Sequence, residues 1–144
     1  MTTKDYLMQL QTLDAKIQQK VEEAASLRST VLGRGMRIDD VRVQTSPKNS
    51  QEDTITGYLD LEAKIDDMID HYVAEKNRII DQIHELADPR YIRILYDHYV
   101  PDEHHHVKTL ERISVDMNYN YTYTCDLHGQ ALLALAEIIR INPK

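Results

Sequence analysis

The sequence predicts an all-α protein: a long antiparallel helical hairpin, coiled-coil-like, followed by a three-helix helix-turn-helix domain. Three observations predict it. Apolar residues recur at steps of three and four through residues 3–32 and again through 55–86, the period of one helix face. A polar, turn-rich stretch at 33–52 separates these two stripes of similar length, as the bend of a hairpin would. The last third is punctuated by Asp88-Pro89, Pro101 and Asn118-Tyr119-Asn120, which divide it into short helical pieces. Residues 1–87 are therefore assigned to the hairpin, with 33–52 as its connecting loop, and residues 88–144 to the helix-turn-helix domain.

The first helix carries Tyr6, Leu10, Leu13, Ile17, Val21, Ala24, Leu27 and Val31 along one stripe. Gly33 and Gly35 are expected to end it, because glycine accepts the left-handed conformation of a helix C-terminal cap. In the loop, Ile38, Val41 and Val43 form a short apolar patch between Gly33-Arg34-Gly35 and the Thr45-Ser46-Pro47 turn. Ser50-Gln51-Glu52-Asp53 resembles a capping box and marks the expected start of the second helix. Its stripe runs Ile55, Tyr58, Leu61, Ile65, Ile69, Tyr72, Ile79, Ile83 and Leu86, broken once at Lys76. Two amphipathic helices alone bury little, and their exposed seams usually find a third helix or a second copy of the chain, so a homodimer through the hairpin is expected.

Asp88 caps the third helix and Pro89 fits its first position. Tyr91, Ile92, Leu95, Tyr96 and Tyr99 supply its apolar face, and Pro101 stops it. A polar loop, Asp102-Glu103-His104-His105-His106, leads to a helix expected from about Val107 to Met117, with Leu110, Ile113 and Met117 inward. Asn118-Tyr119-Asn120 makes the turn, with Asn120 as N-cap of the last helix. That helix buries Leu127, Ala131, Leu132, Leu135, Ile138 and Ile139.

Composition bounds the function. The net charge is −7 over 144 residues, and it is unevenly placed. Residues 53–86 carry nine acidic and three basic groups, whereas 105–144 balance four against four. The acidity thus belongs to the second helix and reads as a solvated face. No apolar run approaches the ~20 residues that span a bilayer, and no secretory signal is read at the N-terminus. Cys125 is the only cysteine, which excludes an intrachain disulfide and points to the reducing cytoplasm.

A helix-turn-helix works by fixing a second helix at a set angle while its first turn stays free to enter a groove. Here the free residues are Tyr121, Thr122, Tyr123, Cys125 and Asp126. The candidate DNA contacts are Asn120, Tyr121, Thr122, Tyr123 and Asp126, with Lys108 and Arg112 placed to neutralise phosphates. None of the residues at the head of the last helix is Arg or Lys, the usual guanine readers. On residues alone, DNA contact and protein contact both stay open. His104-His105-His106 reads as a solvated loop, since neighbours in a loop do not converge on a metal. His128 reads as a core-edge histidine bonded to a carbonyl or a tyrosine, and Cys125 as a structural thiol. No nucleophile–base pair, phosphate-cradling glycine loop, cofactor motif or metal-ligand spacing is found. The reading is a non-enzyme with no cofactor, no metal, no membrane and no small-molecule substrate.

Several strings occur in a telling order: Tyr6-Leu-x-x-Leu with Leu13-Asp14-x-x-Ile17, Asp40-Val41-x-Val43-Gln44-x-Ser46-Pro47, Leu110-x-x-Ile113-x-x-x-Met117-x-Tyr119, and Leu127-His128-Gly129-x-Ala131-Leu132. Together they resemble a family of small phage and prophage proteins of Gram-positive bacteria, whose C-terminal part is similar to sigma-70 region 4 and to late-gene regulators of the ArpU and RinA type. The resemblance implies a cytoplasmic transcription regulator that meets promoter DNA, RNA polymerase, or both. It places the turn and recognition helix at Met117, Tyr119, Asn120, Leu127 and His128. Leu110, Ser114, Asn120, Thr124 and Asp126 depart from the pattern. Asp126 stands where a basic residue often faces nucleic acid.

Overall fold

The computed structural model describes residues 1–36 and 47–141, with side chains over 1–31 and 53–140. Five helices make up the described residues: α1 (Thr3–Met36), α2 (Pro47–His84), α3 (Pro89–Tyr99), α4 (Leu110–Met117) and α5 (Tyr121–Ile141). No strand occurs among them, and no described helix is long and apolar enough to cross a membrane. The all-α expectation holds.

Helix boundaries differ from expectation around the connection. α1 continues through Gly33 and Gly35 to Met36. Interior glycine weakens a helix by only ~1 kcal/mol, too little to end one that thirty preceding residues propagate. α2 starts at Pro47 rather than at Ser50, with proline at the first position, where its missing N–H costs nothing. Both ends of the expected 33–52 loop are therefore helical. The Ile38, Val41 and Val43 patch lies outside the described residues. At 34 residues α1 is about 50 Å long.

The chain divides into two compact units, one of Met1–Asp14 with Tyr72–Lys144, the other of Ala15–His71. In the second unit Ile17 and Ala24 of α1 and Ile65 of α2 are buried. A cleft of about 300 Å³ is lined by Val21, Ala24, Ala25, Arg28 and Ser29 of α1 and by Tyr58 of α2. Val21 and Ile69, expected inside, are exposed.

The first unit holds the main core. Leu7 and Leu10 of α1, Ile79 and Ile83 of α2, Leu95 and Tyr99 of α3, and Ala131 and Leu135 of α5 pack together, with Leu86 and Val100 at the ends of their helices. Each fully buried Leu or Ile contributes roughly 1.5–3 kcal/mol. On α1 the buried line runs Leu7, Leu10, Asp14 and Ile17, so Leu7 and Asp14 sit inside where Leu13 was expected. Asp14 is buried because His105 meets it: Nδ1 lies 2.9 Å from Oδ1. Tyr6 donates to Gln82 Oε1 at 2.5 Å, which satisfies the other buried polar side chain of the α1–α2 contact.

α3, α4 and α5 contact one another pairwise. A second, smaller core lies among them: Ile94, Ile113 and Leu127, flanked by Tyr91, Leu110 and Met117. α3 thus serves both cores, Leu95 and Tyr99 facing one and Ile94 the other. Tyr96, assigned to the apolar face, is 40% exposed instead.

Candidate functional site

The segment that presents the candidate residues is built by four caps. Asp88 accepts the Arg90 N–H at 2.9 Å and Pro89 follows, which starts α3 sharply. Thr109 accepts the Arg112 N–H at 3.2 Å and starts α4 at Leu110, a turn later than the Val107 expected from sequence. Asn118 ends α4 in the left-handed region at φ 61°, a conformation asparagine tolerates better than most residues. Its N–H and that of Tyr119 return to the carbonyls of Val115 and Ser114. Asn120 then accepts the Tyr123 N–H at 2.7 Å, as expected of an N-cap. Thr124, fully buried, folds its hydroxyl back onto the Asn120 carbonyl at 3.0 Å.

The first turn of α5 is fixed from beneath by Leu127 against Ile94 and Ile113. Its outer residues Asn120, Tyr121, Thr122, Tyr123 and Asp126 are all exposed. The Tyr119 and Tyr123 rings meet edge to face, 5.0 Å apart. A hydrogen bond with the Cys125 thiol holds the Tyr121 phenol above its ordinary pKa.

Lys108 and Arg112, the two cations assigned to phosphate, are brought together, but around a carboxylate. Asp116 receives Lys108 Nζ at 3.0 Å and Arg112 Nε at 3.3 Å. Asp97 adds a second contact to Lys108 at 4.0 Å. Lys108 Nζ, donating to Asp116, holds that carboxyl below its usual range, and the Arg112 charge lowers it further. The Arg112–Asp116 pair follows i,i+4 spacing and was readable from sequence; the Lys108 contact spans a loop and was not.

Residues outside the expected set complete the surface. Arg90 is held by Asp88 through Nε at 3.1 Å and Nη2 at 2.7 Å, and its Nη1 donates to the Tyr123 hydroxyl at 2.5 Å. The Asp88 bonds raise the Arg90 pKa, and the Asp88 carboxyl falls below its usual range in return. The Tyr91 hydroxyl donates to Gln130 Oε1 at 2.8 Å.

Deeper in, Tyr99 is fully buried and its hydroxyl lies 2.7 Å from His128 Nε2. The two rings stack, with His98 edge-on to both. Burial, with the nearby His98 and Lys4 charges, pushes His128 down to about 4. His128 is thus a neutral, tyrosine-bonded core-edge residue. In the His104–His106 loop, Asp102 accepts the N–H groups of His104 and His106 at 2.8 and 3.0 Å. The described residues contain no group of three His, Cys, Asp or Glu side chains placed to hold a metal.

No protein-family model, no curated protein and no solved structure matches this chain.

Proposed function

We propose that the chain is a phage-type, sigma-factor-like transcriptional regulator that contacts promoter DNA, RNA polymerase, or both. α4 and α5 form its helix-turn-helix. α1 and α2 form an antiparallel, coiled-coil-like hairpin through which two copies pair. The observation that carries the reading is the first turn of α5, exposed from Asn120 to Tyr123, set behind the left-handed Asn118 and anchored by Leu127. A helix-turn-helix needs that combination: a rigid angle beneath and free polar side chains above. The resemblance of Leu110–Tyr119 and Leu127–Leu132 to sigma-70 region 4 supports it, as does the packing of α1 against α2 within each unit.

The test is retention of duplex DNA as salt is raised. A complex whose log affinity falls linearly with log salt supports the reading, and the slope counts the phosphates neutralised. Absence of retention at the lowest salt removes the DNA half of the proposal.

A second reading has its own observation. Lys108 and Arg112 already share Asp116, and the exposed turn offers tyrosines and Asp126 rather than cations. That surface suits a protein-interaction module with a helix-turn-helix fold that docks on RNA polymerase, a repressor or a defence protein without touching DNA. Binding of purified bacterial RNA polymerase by a chain that retains no duplex would favour this reading.

A further inference from the structure

We infer that Arg90, which lies on α3 outside the proposed helix-turn-helix pair, is a positioning residue for the exposed first turn of α5, acting through the Tyr123 hydroxyl. The inference rests on the reading that this turn is the contact surface.

The geometry has two stages. Asp88 is fixed first, because its carboxylate caps α3 through the Arg90 N–H. The same carboxylate grips the Arg90 guanidinium at Nε and Nη2, a fork-on-carboxylate arrangement that orders the side chain before Tyr123 is reached. Nη1 is then left pointing at Tyr123, 33 residues away in sequence. On the other side Tyr123 is held by its backbone N–H on Asn120 and by its ring against Tyr119. Tyr123 is therefore fixed at backbone, ring and hydroxyl, although 38% of it is exposed.

An exposed tyrosine does not need a protein partner for its hydroxyl, since water serves. A surface bond of this kind contributes little to stability. Its consequence is order: the side chain at the head of α5 is set before a partner arrives, and the ordering cost is removed from binding. A basic residue beside a proposed DNA surface would ordinarily be assigned to phosphate. Arg90 differs, because Asp88 neutralises it.

The experiment compares wild type, R90Q, R90K, Y123F and the R90Q/Y123F double variant. All keep the Asp88 cap, which uses the backbone N–H. Two readouts are taken: retention of a random-sequence duplex pool against salt, and hydrogen exchange of the Tyr123 and Thr124 amides. Positioning predicts that R90Q and Y123F each bind roughly three- to tenfold more weakly, the loss expected when one side chain must be ordered on binding. The double variant is then no weaker than the singles. R90K behaves like R90Q, because a lysine point charge does not fork Asp88 and reach Tyr123 together. The salt slope stays unchanged. A slope lower by about one in R90Q would make Arg90 a phosphate contact and overturn the inference. Undiminished binding by R90Q, or additive losses, would also overturn it. If wild type retains no duplex, the DNA reading fails by itself and exchange decides the strut. Faster exchange of both amides in R90Q and Y123F supports it, and unchanged exchange overturns it.

Discussion

Lowering the pH from 7 to 4.5 tests the packing of His128 directly. The folded ring titrates at about 4 against an ordinary 6.5, chiefly because burial disfavours the charged form. The sign follows from which state takes up the proton. Below 6.5 the unfolded chain protonates His128 while the folded chain does not, so stability is full above 6.5 and falls as pH drops towards 4. The shift is 2.5 units, the difference between 6.5 and 4, which at about 1.36 kcal/mol per unit corresponds to about 3.4 kcal/mol. The ring is only half buried, so solvent screening reduces this to about 2 kcal/mol. Asp5, Asp88, Asp102 and Asp116 are all held below 3.8, so the stability they contribute is lost mainly as pH falls through that value, under the range used here. The assay is urea unfolding of wild type and H128Q, followed by far-UV circular dichroism at pH 7, 6, 5 and 4.5. The other six histidines are common to both proteins, so the difference between the two lines isolates His128. Wild type should lose about 2 kcal/mol more than H128Q across the range. Parallel lines would refute the assignment of a buried neutral imidazole bonded to Tyr99.

Three further outcomes are expected. Leu127→Ala, which empties the centre of the smaller core, should destabilise the protein by about 2–5 kcal/mol in urea unfolding. Asn120→Ala removes the oxygen that accepts the Tyr123 N–H and should cost about 1 kcal/mol by the same measurement. Asp116→Asn releases Arg112 and leaves Lys108 only its 4.0 Å contact with Asp97, so duplex retention at low salt should rise and its salt slope should steepen by about 1–2.

What the sequence revealed, and what it hid, follows from the range of each interaction. Asp88-Pro89 and Asn118-Tyr119-Asn120 were readable because capping is local: the side chain and the N–H it serves lie within three residues. Stripe assignments were right where apolar residues were large and alone, as at Leu10, Ile83 and Leu135. They slipped at Leu13 and Val21, because Leu7 and a buried Asp14 share the line that faces inward. No periodicity marks Asp14 as buried, since its partner His105 lies 91 residues away. Gly33 and Gly35 were overread as a stop, the helix bias of the preceding turns outweighing two small penalties. Ile94 was missed because α3 has two apolar faces, and an 11-residue helix serving two cores shows no single stripe. Of the candidate surface, Asn120 to Tyr123 and Asp126 were legible as the exposed head of the last helix, whereas Cys125, expected free, is half-buried. The neutralisation of Lys108 by Asp116 and Asp97, and the reach of Arg90 to Tyr123, depend on the packing of three helices and leave no spacing signal.

The most direct test of the central claim is an amide chemical-shift titration with duplex DNA at low salt. If α4 and α5 work as a helix-turn-helix on DNA, perturbations concentrate on residues 120–126, with smaller ones at Lys108 and Arg112. Perturbations confined to α1 and α2, or none at saturating duplex, would contradict it.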